Sequence, residues 1–452
     1  MLRKTLHRWL CPRRLEEFKR QTKRRLPVPA WRLVELEDRI NPAPPLITTI
    51  EGINFDEDAT NSGFYHIPPD PHGAVGPNHV VSVNNTSIEW HTLAGTQQNS
   101  QRLGKNGSTH VGSFFEPLTP VNGTFDPKVI YDHFENRFVV VTLERTDDND
   151  GSTSGDAADT SRILLAVSDN SDPNGTWYYF SINAKTNIGG TDTWADYPGF
   201  AVDEEAIYIT NNLFGFGTSG TFQGTRLWIV PKGVSGGLYE GKTGSFSIHN
   251  PYTASGSVAT TTQPAYMHSA GSGSTGTFLV SYSGLSDGTN EFVQIVRVDS
   301  PLSSPTFSHQ FVNVGNIDDT ATAMPDAPQS GTSTRIETND RRALNAVWRN
   351  NYLYTTAQIM PASGADIGDV TAHWWKLNTT TLSAITVTDQ GNVGAEDLGS
   401  DTYTWMPSIA VDSQDNVVMG YGASSATIYP SFYATGRKPG DPAGTLKSPV
   451  LL

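Results

Sequence analysis

The chain has 452 residues and is acidic, with 46 Asp+Glu against 31 Lys+Arg and a formal net charge of −15. Its 42 Gly and 28 Pro make it rich in turns, yet aromatics at 10% are too many for a disordered chain. No apolar run approaches the roughly 20 residues needed to span a bilayer, which excludes a helical membrane protein.

Residues 1–40 carry 12 Lys+Arg against 5 Asp+Glu, and the remaining 412 carry 19 against 41. The head is therefore +7 and the body −22, a sign that repels phosphate backbones and argues against nucleic-acid binding by the body. The only cysteine, Cys11, lies in the head, so the body has no disulfide and no thiolate metal site. Arg13, Arg14, Lys19, Arg20, Lys23, Arg24 and Arg25 could form a basic helix that touches nucleic acid or an anionic membrane. The simpler reading is a leader outside the fold. It is not an ordinary secretory signal, because no apolar core follows the charges. Pro42, Pro44 and Pro45 then form an extended linker. The expected organisation is thus a basic targeting segment and linker, disordered, over 1–45 and one domain over 46–452.

Within that domain the dominant pattern is a short apolar run, a turn of Asp, Asn or Gly, and a second apolar run, which signals strands and hairpins. Four segments align: DPHGAVGPNHVVSV (70–83), DPKVIYDHFENRFVVV (126–141), YPGFAVDEEAIYIT (197–210) and MPSIAVDSQDNVVMGY (406–421). In each a proline (Pro71, Pro127, Pro198, Pro407) precedes the first strand, and the turn residue follows five positions later: Gly76, Asp132, Asp203 and Asp412. Weaker copies start at Pro264 and Ala343, giving a mean spacing of about 67 residues, enough for four strands and their loops. The expected fold is all-β, a β-propeller of six four-stranded blades, with seven as the alternative. Only 45 residues follow the last anchor, so either the final blade is expected to borrow an N-terminal strand or a seventh is missing.

Three resemblances accompany these patterns. RLVELEDRINPAP (32–44) is similar to the LEPR-XLL type of N-terminal segment on bacterial exoproteins, through Leu36, Glu37, Asp38, Arg39, Ile40 and Asn41, with Asp38 where that pattern has Pro. It implies export to the envelope or beyond. SDNSDPNGTW (168–177) resembles the Asp-box turn of neuraminidase repeats through Asp172, Gly175, Thr176 and Trp177, which implies a propeller hairpin and not an activity. With its DPHGAVG, DPKVIYD and DYPGFAVD strings, the whole of about 60–452 resembles secreted bacterial propeller proteins of unassigned activity, within the sialidase-like propeller superfamily.

Nucleotide and hydrolase motifs fail in context. GGLYEGKT (Gly236–Thr243) fits the P-loop pattern, but Pro251 and no helical pattern follow it. The GxGxxG strings at Gly215 and Gly271 lead into strands, and the GxSxG around Ser235 lacks its helix. No metal site is read from the histidines, and no cofactor is expected. The acidic run Asp147–Gly151 departs from the EF-hand pattern but leaves room for a structural calcium.

Topology gives the better site. The starts of the inner strands rim a common funnel, and they carry Asp70 and His72, Asp126 and Lys128, Trp194, Asp196 and Tyr197, Tyr266 and His268, Asp340, Arg341 and Arg342, and Tyr403 and Trp405. Carboxylates accept from sugar hydroxyls while rings stack on C–H faces, so an extracellular glycan or other cell-surface ligand fits, bound by Trp194, Asp196, Tyr197, Tyr266, His268, Arg341, Arg342 and Trp405. Alternation along an extended strand puts Trp194 and Asp196 on one side. The catalytic candidates, for a glycoside hydrolase or lyase, are Asp70, Asp126, Asp196 and Asp340. Against both stands a structural reading in which the Asp residues cap turns and the aromatics fill wedges between blades. A sialidase is disfavoured, because Arg162-Ile163-Leu164 lacks the proline of the RIP-type motif. An envelope interaction module using the blade faces is the third class, and a monomer is expected. Deleting residues 1–45 should leave melting unchanged and abolish export; a truncated chain that still reaches the envelope refutes the address.

Overall fold

A computed structural model describes residues 49–217, 220–252, 260–393 and 398–452. The basic head and its LEPR-XLL-like segment lie outside the described residues.

The body is nearly all β and is arranged as a six-bladed propeller. Blade 1 is β1 (His72–Val75), β2 (His79–Val83), β3 (Ser87–Thr92) and β4 (Gln97–Arg102). Blade 2 is β5 (Phe125–Asp132), β6 (Arg137–Thr146), β7 (Thr160–Ser168) and β8 (Trp177–Asn183). In blade 3 a short β9 (Thr186–Ile188) pairs with β10 (Thr191–Val202), followed by β11 (Ala206–Gly215), β12 (Phe222–Pro231) and β13 (Ser247–His249). Blade 4 begins with β14 (Gln263–Pro264); the chain then leaves it as β15 (Tyr266–Met267), which pairs in parallel with blade 5. The rest of blade 4 is β16 (Thr275–Ser281), β17 (Glu291–Asp299) and β18 (Thr306–Gly315). Blade 5 is β19 (Ala343–Arg349), β20 (Tyr352–Ile359), β21 (Thr371–Asn378) and β22 (Thr386–Val393). Blade 6 is β23 (Tyr403–Val411), β24 (Val417–Ser424), β25 (Ser431–Arg437) and β26 (Val450–Leu451).

All six anchors of the repeat therefore lie in, or directly before, the innermost strand of a blade. The sixth blade is completed by its own C-terminal β26, not by a borrowed N-terminal strand, because β1 is already the inner strand of blade 1. A second departure is α1 (Phe55–Ser62), a helix packed beside β4. Asn54 caps it by accepting the Glu57 N–H at 2.9 Å, acidic residues fill its first turn, and Gly63 ends it in the left-handed conformation. Its Asp58 is buried and accepts from the Ser87 hydroxyl at 2.6 Å.

The cores lie between blades. β6 and β7 read as continuous Val/Ile/Leu runs because each of their faces is covered by a neighbouring blade. Val81, Phe115, Phe138 and Leu164 fill the wedge between blades 1 and 2, and Val141, Leu165, Ile207 and Trp228 the next. Tyr208, Ile229 and Leu279 join blades 3 and 4, Phe278, Trp348 and Trp375 blades 4 and 5, and Trp374, Ile409 and Met419 blades 5 and 6. Each fully buried aromatic or aliphatic side chain contributes about 1.5–3 kcal/mol.

The recurrent turn acids are structural. Asp203 accepts the Glu205 and Ala206 N–H groups at 2.8 and 2.7 Å and the Tyr208 hydroxyl at 2.6 Å. Asp132 does the same for Phe134 and Glu135, and pairs with the buried Lys232 at 2.6 Å. Asp412 accepts from Gln414 and Asn416. Blade 1 has Gly76 there because a Cβ would meet the Phe138 and Tyr131 rings at 2.7 and 2.9 Å. The Asp-box-like string forms the β7–β8 hairpin turn, with Asp172 accepting from the Asn174 N–H at 3.0 Å. The P-loop-like string is a turn with a short 3-10 segment, Leu238–Glu240. Gly76→Ala should destabilise by about 1–3 kcal/mol through overpacking of the blade 1–2 wedge; denaturant melts that superimpose on those of the unsubstituted chain would contradict that packing.

Candidate functional site

Three of the prolines that mark the repeat, Pro127, Pro198 and Pro407, sit in bulges. Asp70, Asp126, Tyr197 and Met406, each directly before an anchor proline, have φ of 45°, 50°, 43° and 49°. In blades 2, 3 and 6 the inner strand slips register at that point, between Phe125 and Lys128, Asp196 and Gly199, and Trp405 and Ser408. A bulge re-aims its side chain and leaves an N–H without a ladder partner. Here that N–H is met by a side chain of the preceding blade. Asn85 accepts from Asp126 at 2.6 Å, Asp126 from Tyr197 at 2.9 Å, and Gln358 from Met406 at 3.1 Å. Blade 4 varies the device: Thr261, φ 52°, donates to Asn212 at 2.8 Å.

At the upstream mouth of the channel this arrangement gathers residues of blades 1, 2, 3 and 5. The Asn85 amide donates to the Asp70 carboxylate at 2.7 Å while its oxygen holds the Asp126 N–H, so one carboxamide ties the Asp70 carboxylate to the Asp126 backbone. The Asp126 and Asp196 carboxyls hydrogen-bond to each other. Burial, then the Asp196 and Asp70 charges, push Asp126 well above the carboxylate range. Asp196 is raised by burial, but the Asp126 hydrogen bond and the nearby Arg145 and Arg342 favour its ionised form. Both carboxyls are therefore raised, Asp126 the more, and the pair rather than either residue alone holds the proton.

Cations frame the pair. Lys128 lies 4.9 Å and Arg342 5.3 Å from the centre of the Tyr197 ring, and Arg145 lies 4.1 Å from that of Trp194. Burial lowers Lys128 to about 8, against the pull of Asp126 and Asp70. Burial, with Lys128 beside it, lowers His72 to about 3. Asp70, Asp126, Lys128, Trp194, Asp196 and Tyr197 are all partly open to solvent.

Other expected site residues lie elsewhere or face differently. Tyr266 and His268 are not on this rim. The Tyr266 hydroxyl bonds the Tyr131 carbonyl and sits 2.8 Å from His133 Nδ1, at the far end of β5 and roughly 16 Å downstream of Asp126. The parallel pairing of β15 with β19 takes this segment away from the mouth. Arg341 turns into a structural ion pair with the buried Asp318, at 2.8 Å. Asp340, exposed on the lip, pairs with Arg342. Trp405 lies at the right end, but its ring covers Gly422 and meets Phe432 edge-on at 6.2 Å, over its own blade. Trp194 and Asp196 share a side, as Arg145 approaches both. Trp194 is not an open platform, however, because Arg145, Phe214 and Phe125 surround its ring. Sequence reasoning missed Asn85 and Arg145, which act across blade boundaries and sit in strings without a distinguishing pattern. A surface cavity of about 420 Å³ lies away from this cluster, around the Asp203–Glu205 turn and Gly271–Gly276.

No protein-family model matches the chain, and no curated protein sequence matches it. Among solved structures it resembles a Synechocystis apocarotenoid oxygenase at 10% identity and a TM-score of 0.42, covering 84% of this chain and 71% of that one. A Trypanosoma rangeli sialidase in complex with sialic acid follows at 12% and 0.39, covering 82% and 54%, so this chain spans about half that protein's length. A glycosyl hydrolase from Bacteroides ovatus stands at 10% and 0.34, covering 72% and 86%. Scores this low carry neither activity nor site residues across. No helix among the described residues is long and apolar enough to cross a membrane.

The proton of the pair has a measurable consequence. The raised value of Asp126 in the folded chain favours the neutral form, so its stabilising effect is complete below the ordinary carboxyl value of about 4. That effect is lost as pH rises through the folded value. Asp126→Asn is neutral throughout, so stability relative to this variant should fall for the unsubstituted chain as pH rises above about 4. Urea melts at a series of pH values measure this; parallel curves would show that the carboxyls share no proton.

Proposed function

We propose that the propeller is exported and binds a hydroxyl-rich extracellular ligand, a glycan, at the upstream mouth of its channel. The observation that carries this reading is the convergence of Asp70, Asp126 and Asp196 with Lys128, Arg145 and Arg342 in one partly open cluster. The Asp126–Asp196 pair and Asp70 accept from sugar hydroxyls, and the cations hold ring or acidic oxygens. Because the rings of Trp194 and Tyr197 are already covered by cations, recognition runs through polar groups more than through stacking.

Catalysis is the second reading, and one geometric fact restricts it. Glycoside hydrolysis needs two carboxyls roughly 5–10 Å apart, with the reacting sugar between them. Asp126 and Asp196 are in direct contact and leave no such room. Asp70 is the other acid near enough to act on the Asp126 charge, and Asn85 ties its carboxylate to the Asp126 backbone N–H. A hydrolase would therefore have to pair Asp70 with one member of the Asp126–Asp196 couple.

The decisive experiment is a glycan array probed with the full chain, with reducing-end release followed in parallel. Asp196→Asn should weaken binding by about tenfold or more, the effect of losing a charge-assisted bond of about 1.5–3 kcal/mol, with little change in melting. A large fall in melting temperature with affinity kept by the folded fraction would make Asp196 structural and overturn the reading. Release of reducing ends by the unsubstituted chain and not by Asp126→Asn would establish the hydrolase.

A further inference from the structure

The loop joining β6 to β7 holds five carboxylates, Asp147, Asp148, Asp150, Asp156 and Asp159, in thirteen residues. Carboxylate oxygens of Asp147, Asp148 and Asp159 all lie within 4.8 Å of one another. That is the widest separation at which two oxygens can share an ion with bonds of about 2.4 Å, the length of calcium–oxygen bonds. Proximity alone is not a site, but Asp159 adds a separate observation. It is only 4% exposed, and its Oδ1 is buried with no hydrogen-bond donor. A buried, unpartnered carboxylate oxygen is costly, and a bound cation is a standard remedy.

Protein cations do not meet this demand. Lys185 is engaged by the Asp156 and Asp159 carbonyls and by Asp192 at 3.4 Å, and Arg145 stands 3.9 Å from Asp147 while lying over Trp194. The loop is otherwise shaped for its place. The Gly155 N–H bonds the Asp192 carboxylate at 2.9 Å, and the Thr153 carbonyl accepts from the Asp192 N–H at 2.8 Å, which ties the loop to the start of β10.

We propose that Asp147, Asp148 and Asp159 bind a divalent cation, calcium by its preference for several hard oxygens in an irregular shell, with carbonyls of the loop and water completing the coordination. The site does not depend on the glycan reading. Its placement gives it a consequence for the channel mouth all the same: a cation on Asp147 releases Arg145 from that carboxylate and leaves it to Trp194 and Asp196.

The test is calorimetric titration of Ca²⁺ into the full chain after chelation, with melting followed in EDTA and in excess Ca²⁺. Binding of one equivalent at this loop and a Ca²⁺-dependent rise in melting temperature are expected. Asp159→Asn should lower affinity at least tenfold. Asp148→Asn changes an exposed residue and keeps the fold, and it should weaken binding too, so the outcome survives a failure of the buried variant to fold. No Ca²⁺ binding up to 10 mM would overturn the proposal. So would equal affinity in the unsubstituted chain and Asp148→Asn.

Discussion

The structure depends on a bulge that one blade makes and its predecessor satisfies. Holding a non-glycine residue at positive φ costs about 1–2 kcal/mol, and orphaning its N–H would cost as much again. Neither cost is tolerable in an isolated blade. Asn85, Asp126, Asn212 and Gln358 cover the orphaned donors of the blade that follows each of them. The inner strands thus meet their neighbours through directional bonds near the axis, while the wedges farther out meet through non-directional apolar packing. Register around the ring is set by the first and cohesion by the second.

The same device explains why acids crowd one mouth. An X-Pro step at positive φ turns X away from the blade's own ladder, and in blades 1 and 2 X is aspartate. Asp126 serves two masters: its N–H is held by Asn85 and its carboxylate holds Tyr197. A scaffold role alone does not account for the rest of the cluster. Asp196 takes one backbone N–H, that of Tyr197, where Asp132, Asp203 and Asp412 each take two, and it sits against a second carboxyl with arginines nearby. Structural and recognition roles are separable here, residue by residue.

Much of the fold was legible in the chain. Five prolines and Ala343, near 67-residue spacing, locate all six inner strands, and the acid five residues after the proline locates the first hairpin turn of three blades. Closure was misjudged because the count of residues after Pro407 gave no hint that β26 is only two residues long. Helix α1 carries ordinary helix punctuation in Asn54, three acids and Gly63, but at eight residues within a chain of period-two strands it is too short to give a helical period of its own. The mouth was legible only in part. Asp70, Asp126, Asp196, Tyr197 and Arg342 meet as expected, whereas Tyr266 and His268 do not, since the sequence contains nothing to say that the inner strand of blade 4 breaks after Pro264 and passes to blade 5. Arg341 and Arg342 are adjacent and chemically identical, and in the turn just ahead of β19 one reaches Asp318 while the other reaches Tyr197, which nothing in the sequence distinguishes.

Charge at the mouth follows from the same geometry. Three acids at one rim would repel each other and strain the ring, and the chain relieves this in two ways. One carboxyl keeps its proton, and the others are given Lys128, Arg145 and Arg342 within reach. The two remedies are linked, because every cation drawn away from the pair shifts the proton's balance between Asp126 and Asp196. Arg145 is the one most easily drawn, standing between the pair on one side and the acidic β6–β7 loop on the other. The electrostatic state of the mouth is therefore set partly from outside it, through a single guanidinium whose two neighbours compete for it.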